Sequence, residues 1–156
     1  MRPRSLLVFL VLTAFAPTIT AAAQSGIITK PSGHSVAITL DRLEVSLKER
    51  GFMIFTRIDH AAAAASVGLK MPASTVLIFG NPRLGTPSFL KQPTLAIDLP
   101  LKALVYHDAS GNVFISYNSS AYIVETLYSR HGLTASSDIE ARIAQVLAEA
   151  IDAAAN

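Results

Sequence analysis

The stretch "LPLKALVYHDASGNVFISYN", residues 99–118, decides how this chain folds. Two apolar runs, rich in branched and aromatic side chains, flank "DASGN", a short polar loop that contains a glycine. That pattern reads as a β-hairpin, two antiparallel strands joined by a tight connection. The upstream runs "FMIFTRI" (52–58) and "TVLIF" (75–79) are too short for helices and read as further strands, the second of them buried. "GIITKPSG" (26–33) reads as a short strand ending at Pro31 and Gly33.

Helical patterns occupy the remainder. In "SVAITLDRLEVSLKERG" (35–51), Val36, Leu40, Leu43 and Leu47 fall on one helical face while Asp41, Arg42, Glu44, Lys48 and Glu49 cover the other. Its first residues also alternate like a strand, but the longer helical pattern prevails. Ser35 is placed to cap its start and Gly51 its end. Asp59 is a natural cap for the alanine-rich "DHAAAAASVG" (59–68), and "LKMPAS" (69–74) is a loop. "TPSFLKQP" (86–93) predicts a helix of one to two turns, with Thr86 as cap, Pro87 at the first helical position and Pro93 as stop. "SSAYIVETLYSRHG" (119–132) predicts a helix with Val124, Leu127, Tyr128 and His131 on one side and Gly132 as terminator. "SSDIEARIAQVLAEAIDAA" (136–154) carries a capping box, Ser137 with Glu140, and an apolar stripe through Ile139, Ile143, Val146, Leu147, Ala150 and Ile151. The order is strand, helix, several strands, then helices. It predicts a single α+β domain with an antiparallel-rich sheet and packed helices, not a βαβ alternation.

The N-terminus carries an address. Arg2 and Arg4 precede an uncharged apolar stretch, then small residues at Ala21 and Ala23. A basic head, a short apolar middle and an A-x-A exit predict a signal peptide over residues 1–23, leaving 24–156 as the mature domain. Pro17, Thr18 and Thr20 interrupt the apolar run too early for a membrane span, so none is expected after cleavage. The expected location is the bacterial periplasm or the outside of the cell. There is no cysteine, which excludes disulfides, thiolate nucleophiles, Cys-ligated metals and an acylated N-terminal cysteine. Without Arg2 and Arg4 the chain has 11 basic and 11 acidic residues, and no basic cluster remains for nucleic acid.

"FGNPRLGTP" (79–87) separates Gly80 and Gly85 as a phosphate loop does. Thr86 stands where the lysine must be, and Pro87 where the hydroxyl must be. A strand-to-helix turn is the better reading, and no nucleotide cofactor is expected. No G-x-S-x-G elbow occurs. The four histidines, His34, His60, His107 and His131, include no i, i+4 metal pair. His131, before Gly132, suits a helix C-terminus. His107, before the hairpin turn, is expected to be exposed. His60, at a strand-to-helix junction, is the better functional candidate. The four tyrosines, Tyr106, Tyr117, Tyr122 and Tyr128, fall at apolar positions and read as packing.

"GFMIFTRIDHAA", "LIFGNPRLGTPSFLKQPTLAIDLPLKALVYHD", "GNVFISYN" and "YSRHGL" together resemble the domain-of-unknown-function family 302, over Gly26 to about Ala150. The resemblance implies the β-α-β4-α arrangement of the TATA-box-binding-protein-like class, with pairing into homodimers, and it implies no reaction. The family's recurrent polar positions fall here on Asp59, His60, Gly80, Asn81, Pro82, Asp98, Lys102 and His131. Family members often have an acid near the start of the first helix, where this chain has Ile38, so the cap at Ser35 is expected to be weaker.

The leading expectation is a non-enzymatic accessory module that binds a small ligand, a metal or a periplasmic partner. Its site would gather His60, Asn81, Asp98 and His131. The alternatives are an enzyme with His60 as general acid or base, held by Asp59 or Asp98, and a structural dimerisation domain.

Overall fold

The computed structural model describes residues 26–156, so the leader expected over 1–23 lies outside the described residues. The hairpin forms as read: β4 (Leu101–His107) pairs antiparallel with β5 (Val113–Asn118). In the loop, the Asp108 carboxylate accepts from the Ser110 and Asn112 amides, both at 2.9 Å, and Gly111 takes φ +85°, which a side chain would resist. Those bonds, with the Asn112 side chain foremost, hold the Asp108 carboxyl below its ordinary value. β1 (Ile27–Ser32), β2 (Met53–Asp59) and β3 (Ser74–Gly80) complete one antiparallel sheet of order β1-β5-β4-β3-β2. Every neighbouring pair is antiparallel.

Two helices cover one face. α1 (Val36–Glu49) starts at Ser35, whose hydroxyl accepts from the Ile38 amide at 3.3 Å, so the cap forms without an acid in the first turn. α4 (Ser137–Ala155) packs beside α1. Their apolar stripes meet the inward residues of β3, β4 and β5: Leu43, Leu47 and Ile151 pack with Leu77, Phe79, Val105 and Ile115, all essentially free of solvent. Alternation along β3 puts Thr75, Leu77 and Phe79 inward. Phe52 meets Phe79 edge to face at 5.6 Å. Ion pairs tie both edge strands to these helices. Lys30 of β1 binds Asp152 of α4, and Arg57 of β2 binds Glu44 and Asp41 of α1.

Three helix starts or windings differ from expectation. α3 begins five residues early, at Pro82–Lys91, with Asn81 as cap: its side-chain oxygen accepts from the Arg83 amide at 3.0 Å. Asn81-Pro82 is itself a cap followed by a proline at the first helical position, and it precedes Thr86-Pro87 in the chain. Pro87 therefore lies inside the helix, and Gly85 is helical too. A short 3₁₀ turn (Pro93–Ile97) follows. α4 takes Ser136 as cap with no side-chain bond, which moves Glu140 to the fourth helical position and breaks the expected box. Ile139 of its predicted stripe is 51% exposed. Residues 122–128 wind as a π-helix (Tyr122–Tyr128), then tighten into a 3₁₀ turn (Ser129–His131), which Gly132 ends at φ 72°. α2 (His60–Ser66) is capped by Asp59 as expected, through the Ala62 amide at 2.9 Å.

Candidate functional site

Of the four residues expected to form a site, the fold joins two by a hydrogen bond. Asp98 ends the 3₁₀ turn after α3, and His131 ends the helical segment after β5. The His131 Nε2 lies 2.7 Å from Asp98 Oδ2, and its side chain is only 7% exposed. The ring's other nitrogen, Nδ1, lies 2.8 Å from the Thr94 hydroxyl. A carboxylate only accepts, so Nε2 carries the proton. In the neutral ring Nδ1 is then an acceptor, and the Thr94 hydroxyl donates to it. Arg130 reaches the other carboxylate oxygen of Asp98 at 3.3 Å, and Gln92 donates from Nε2 to the His131 carbonyl at 2.8 Å. Lys102 donates to the main-chain carbonyls of Asp98 and Pro100, at 3.1 and 3.2 Å. The network thus joins the end of the π-helical segment to the 3₁₀ turn 33 residues upstream.

The other candidates serve their own helices. His60 is exposed at the first position of α2, and its ring makes no hydrogen bond among the described residues. Asp59, expected to orient it, is committed to the cap. Asn81 is the cap of α3. Gly80 is closely packed: a Cβ there would stand 3.1 Å from the Phe55 ring and 3.3 Å from Pro100. His107 is half-buried rather than exposed: the Ala73 amide donates to its Nε2 at 3.3 Å, and its Nδ1 lies 3.1 Å from the Asp108 carbonyl. It joins the hairpin end to the loop before β3. Tyr117, Tyr122 and Tyr128 pack in or against the core, Tyr106 packs on Phe114 instead, and burial pushes the Tyr117 phenol up.

A crevice of about 10 Å³ adjoins Asp98, Lys102, Tyr117 and Asn118, room for about one water. Among the described residues, no three His, Asp or Glu side chains are grouped to hold a metal. Sequence reading missed Thr94, Arg130 and Gln92. Thr94 lies in the 3₁₀ turn that Asp98 ends, and no helical periodicity announces that turn in the sequence. Nothing local joins Asp98 to His131.

The opposite face of the sheet has a different chemistry. Alternation turns Met53, Thr56 and Ile58 of β2, Val76 and Ile78 of β3, and Lys102, Leu104 and Tyr106 of β4 away from α1 and α4. Phe114, Ser116, Thr29 and Pro31 extend that face across β5 and β1. Tyr106 and Phe114 stack at 5.7 Å. Met53, Phe55 and Ile58 are 52%, 49% and 42% exposed. Lys102 is its one charged side chain among these strands, and its ammonium is folded onto the carbonyls at the strand's start.

A family model described as "Domain of unknown function DUF302" matches residues 28–150. Among curated proteins, the chain is 39% identical over 123 residues to "Fluoride-specific ion channel FluC 1" of Brucella suis biovar 1 (strain 1330), which is 79% of this chain and 47% of that protein. It matches "Fluoride-specific ion channel FluC 1" of Brucella abortus biovar 1 (strain 9-941) to the same identity, over 44% of that protein. The chain therefore spans less than half the length of these relatives. Among solved structures, the "uncharacterized conserved protein DUF302" from Bacillus stearothermophilus superposes with a TM-score of 0.70 at 22% identity, covering 83% of this chain and 98% of that one. The likeness is one of fold.

Proposed function

The chain belongs to the DUF302 family, and from that premise we propose that it is an exported accessory module that works by binding a protein surface, in the first place a second copy of itself. The observation that carries this reading is the sheet face turned away from α1 and α4. It is apolar over most of its width, half-exposed, and nearly free of charge. Depletion of charge at the centre of a patch is what distinguishes protein interfaces from ordinary surface. Apolar patches of this extent on soluble domains generally mark interaction sites. Sedimentation at micromolar concentration tests it. A dimer that Leu104→Glu converts to a monomer with an unchanged far-UV spectrum supports the reading, and a monomeric wild-type chain overturns it. The N-terminal pattern supports export, which N-terminal sequencing of the fractionated protein tests: a chain beginning at Gln24 is expected.

The curated relatives favour a narrower role. An ion channel must cross the membrane, and no helix among the described residues is long and apolar enough to do so. We infer that conduction in the Brucella proteins belongs to the part this chain does not match, and that the matched part is an appended module. On that reading the present chain is an accessory to a membrane transport protein. Fluoride efflux from vesicles holding a relative with and without the matched segment tests the inference. Efflux that persists without the segment supports it, and efflux that vanishes while the truncated channel still inserts overturns it. The Asp98–His131 couple is where a small ligand would act on this module, since Asn81 is used as a helix cap and the exposed His60 ring has no polar side chain bonded to it among the described residues.

A further inference from the structure

We propose that Thr94 is an activated hydroxyl, the nucleophile of a Thr94–His131–Asp98 relay that accepts an acyl group from an activated ester. The inference is independent of the sheet face. It rests on a connected set of bonds: Thr94 Oγ1 to His131 Nδ1 at 2.8 Å, and His131 Nε2 to Asp98 Oδ2 at 2.7 Å. A hydroxyl on a base, with the base oriented by a third group, is the general signature of an assembled nucleophile. The relay is recognised by such roles and not by order in the chain or by a motif. Here the carboxylate faces Nε2 and the hydroxyl faces Nδ1, the reverse of the arrangement in serine proteases, and the proton bookkeeping is the same.

The surroundings suit the task. Imidazole and carboxylate are 7% and 13% exposed, so their bond is largely shielded from water. Arg130 holds the second carboxylate oxygen, and Gln92 holds the His131 main chain. Thr94 itself is exposed, as an acceptor of an external acyl group must be. A purely structural histidine at a helix end needs no ordered surface hydroxyl on its outer nitrogen, because water would serve. The π-helical winding that ends at Tyr128 delivers Ser129–His131 to Asp98, and π segments are frequent at functional sites.

In the step itself, Thr94 Oγ1 attacks the ester carbonyl and forms a new C–O bond while its proton passes to His131 Nδ1. Asp98 stabilises the imidazolium so formed. The ester C–O bond to the leaving group breaks, and the leaving oxygen takes the proton from Nδ1. The product is an acyl-threonine, and the ring returns to its starting tautomer. Water attacking by the same route would release the acid.

The full chain is incubated with p-nitrophenyl acetate, nitrophenolate release is followed, and the acetylated peptide is mapped by mass spectrometry. Acetylation at Thr94 with an equivalent release of nitrophenolate is expected. Thr94→Val should abolish that adduct, Thr94→Ser should retain it, and His131→Gln should slow it by about a hundredfold. Should His131→Gln fail to fold, the Thr94→Val and Thr94→Ser pair decides alone, since an exposed methyl-for-hydroxyl exchange leaves the core untouched. Acetylation confined to lysines, or release from Thr94→Val at the wild-type rate, overturns the proposal.

Discussion

Asp98 accepts from His131 and Arg130 at once, and it is the residue on which the rest of the polar network depends. Replacing it with alanine leaves the buried Nε2–H of His131 without a partner, which costs about 1–3 kcal/mol. Urea unfolding of Asp98→Ala should show that loss, and a change under about 0.5 kcal/mol would show the network to be idle. Glu44 offers a second test at this scale. Burial acts to raise its pKa, but hydrogen bonds from Arg57 and Lys48 outweigh it, so the group lies below its ordinary 4.5. A carboxyl with a lowered folded value stabilises the native state in full above the unfolded value, and that contribution fades as pH falls through the folded one. Stability should therefore drop below about pH 4.5 along a limb that Glu44→Gln flattens. Equal acid limbs in the two proteins would refute the assignment. Sequence alone named Asp98 and His131 as candidates but ranked His60 above them. A histidine beside free helix N–H groups looks reactive on paper, whereas a bond across 33 residues is invisible until the 3₁₀ turn and the helix end are placed.

At the scale of elements, reading was most reliable where one period ran uninterrupted. The stripe Leu40-Leu43-Leu47 has its expected face inside, and "TVLIF", read only as a buried strand, is buried at alternate residues. It failed where two start signals competed, as at Asn81-Pro82 against Thr86-Pro87 and at Ser136 against Ser137. It also failed for residues 122–128, because side-chain periodicity assumes 3.6 residues per turn and has no means of announcing a wider winding. The start of α3 makes a prediction that separates the two readings of "FGNPRLGTP". Gly85 is helical without a positive φ, and a Cβ there would stand 3.4 Å from the Phe89 ring, which can swing aside. Gly85→Ala should then stabilise by about 0.5–1 kcal/mol. Pro87→Ala restores a missing backbone donor in the same helix and should raise the melting temperature as well. A phosphate-binding or hinge loop would respond in the opposite direction, so destabilisation by Gly85→Ala would return this segment to the loop class.

For the whole molecule, charge and apolar surface are sorted to opposite sides of one sheet. The edge strands send Lys30 and Arg57 to the helical side, where Asp152, Asp41 and Glu44 meet them. The α+β class and the hairpin were legible in the sequence; the sheet order was not, since β1 closes on β5, with Ile27 opposite Asn118. That closure is what makes the far face continuous. Five strands are about 24 Å across and about 20 Å long, roughly 500 Å² in projection before side-chain relief is counted. A standard interface covers roughly 800 Å² of accessible surface per partner, so this one face is of the right order to hold a second copy. Because Lys102 is its one charge, and that ammonium is already satisfied by carbonyls, the attraction is hydrophobic and not electrostatic. Two consequences distinguish it from a charge-driven contact. The melting temperature should rise with protein concentration, since association stabilises the folded form by mass action. The dissociation constant should change little between low and high sodium chloride, because screening acts only on charges. A dimer that falls apart on adding salt would place its interface on the ion-paired helical side, and the free sheet face would then have another occupant.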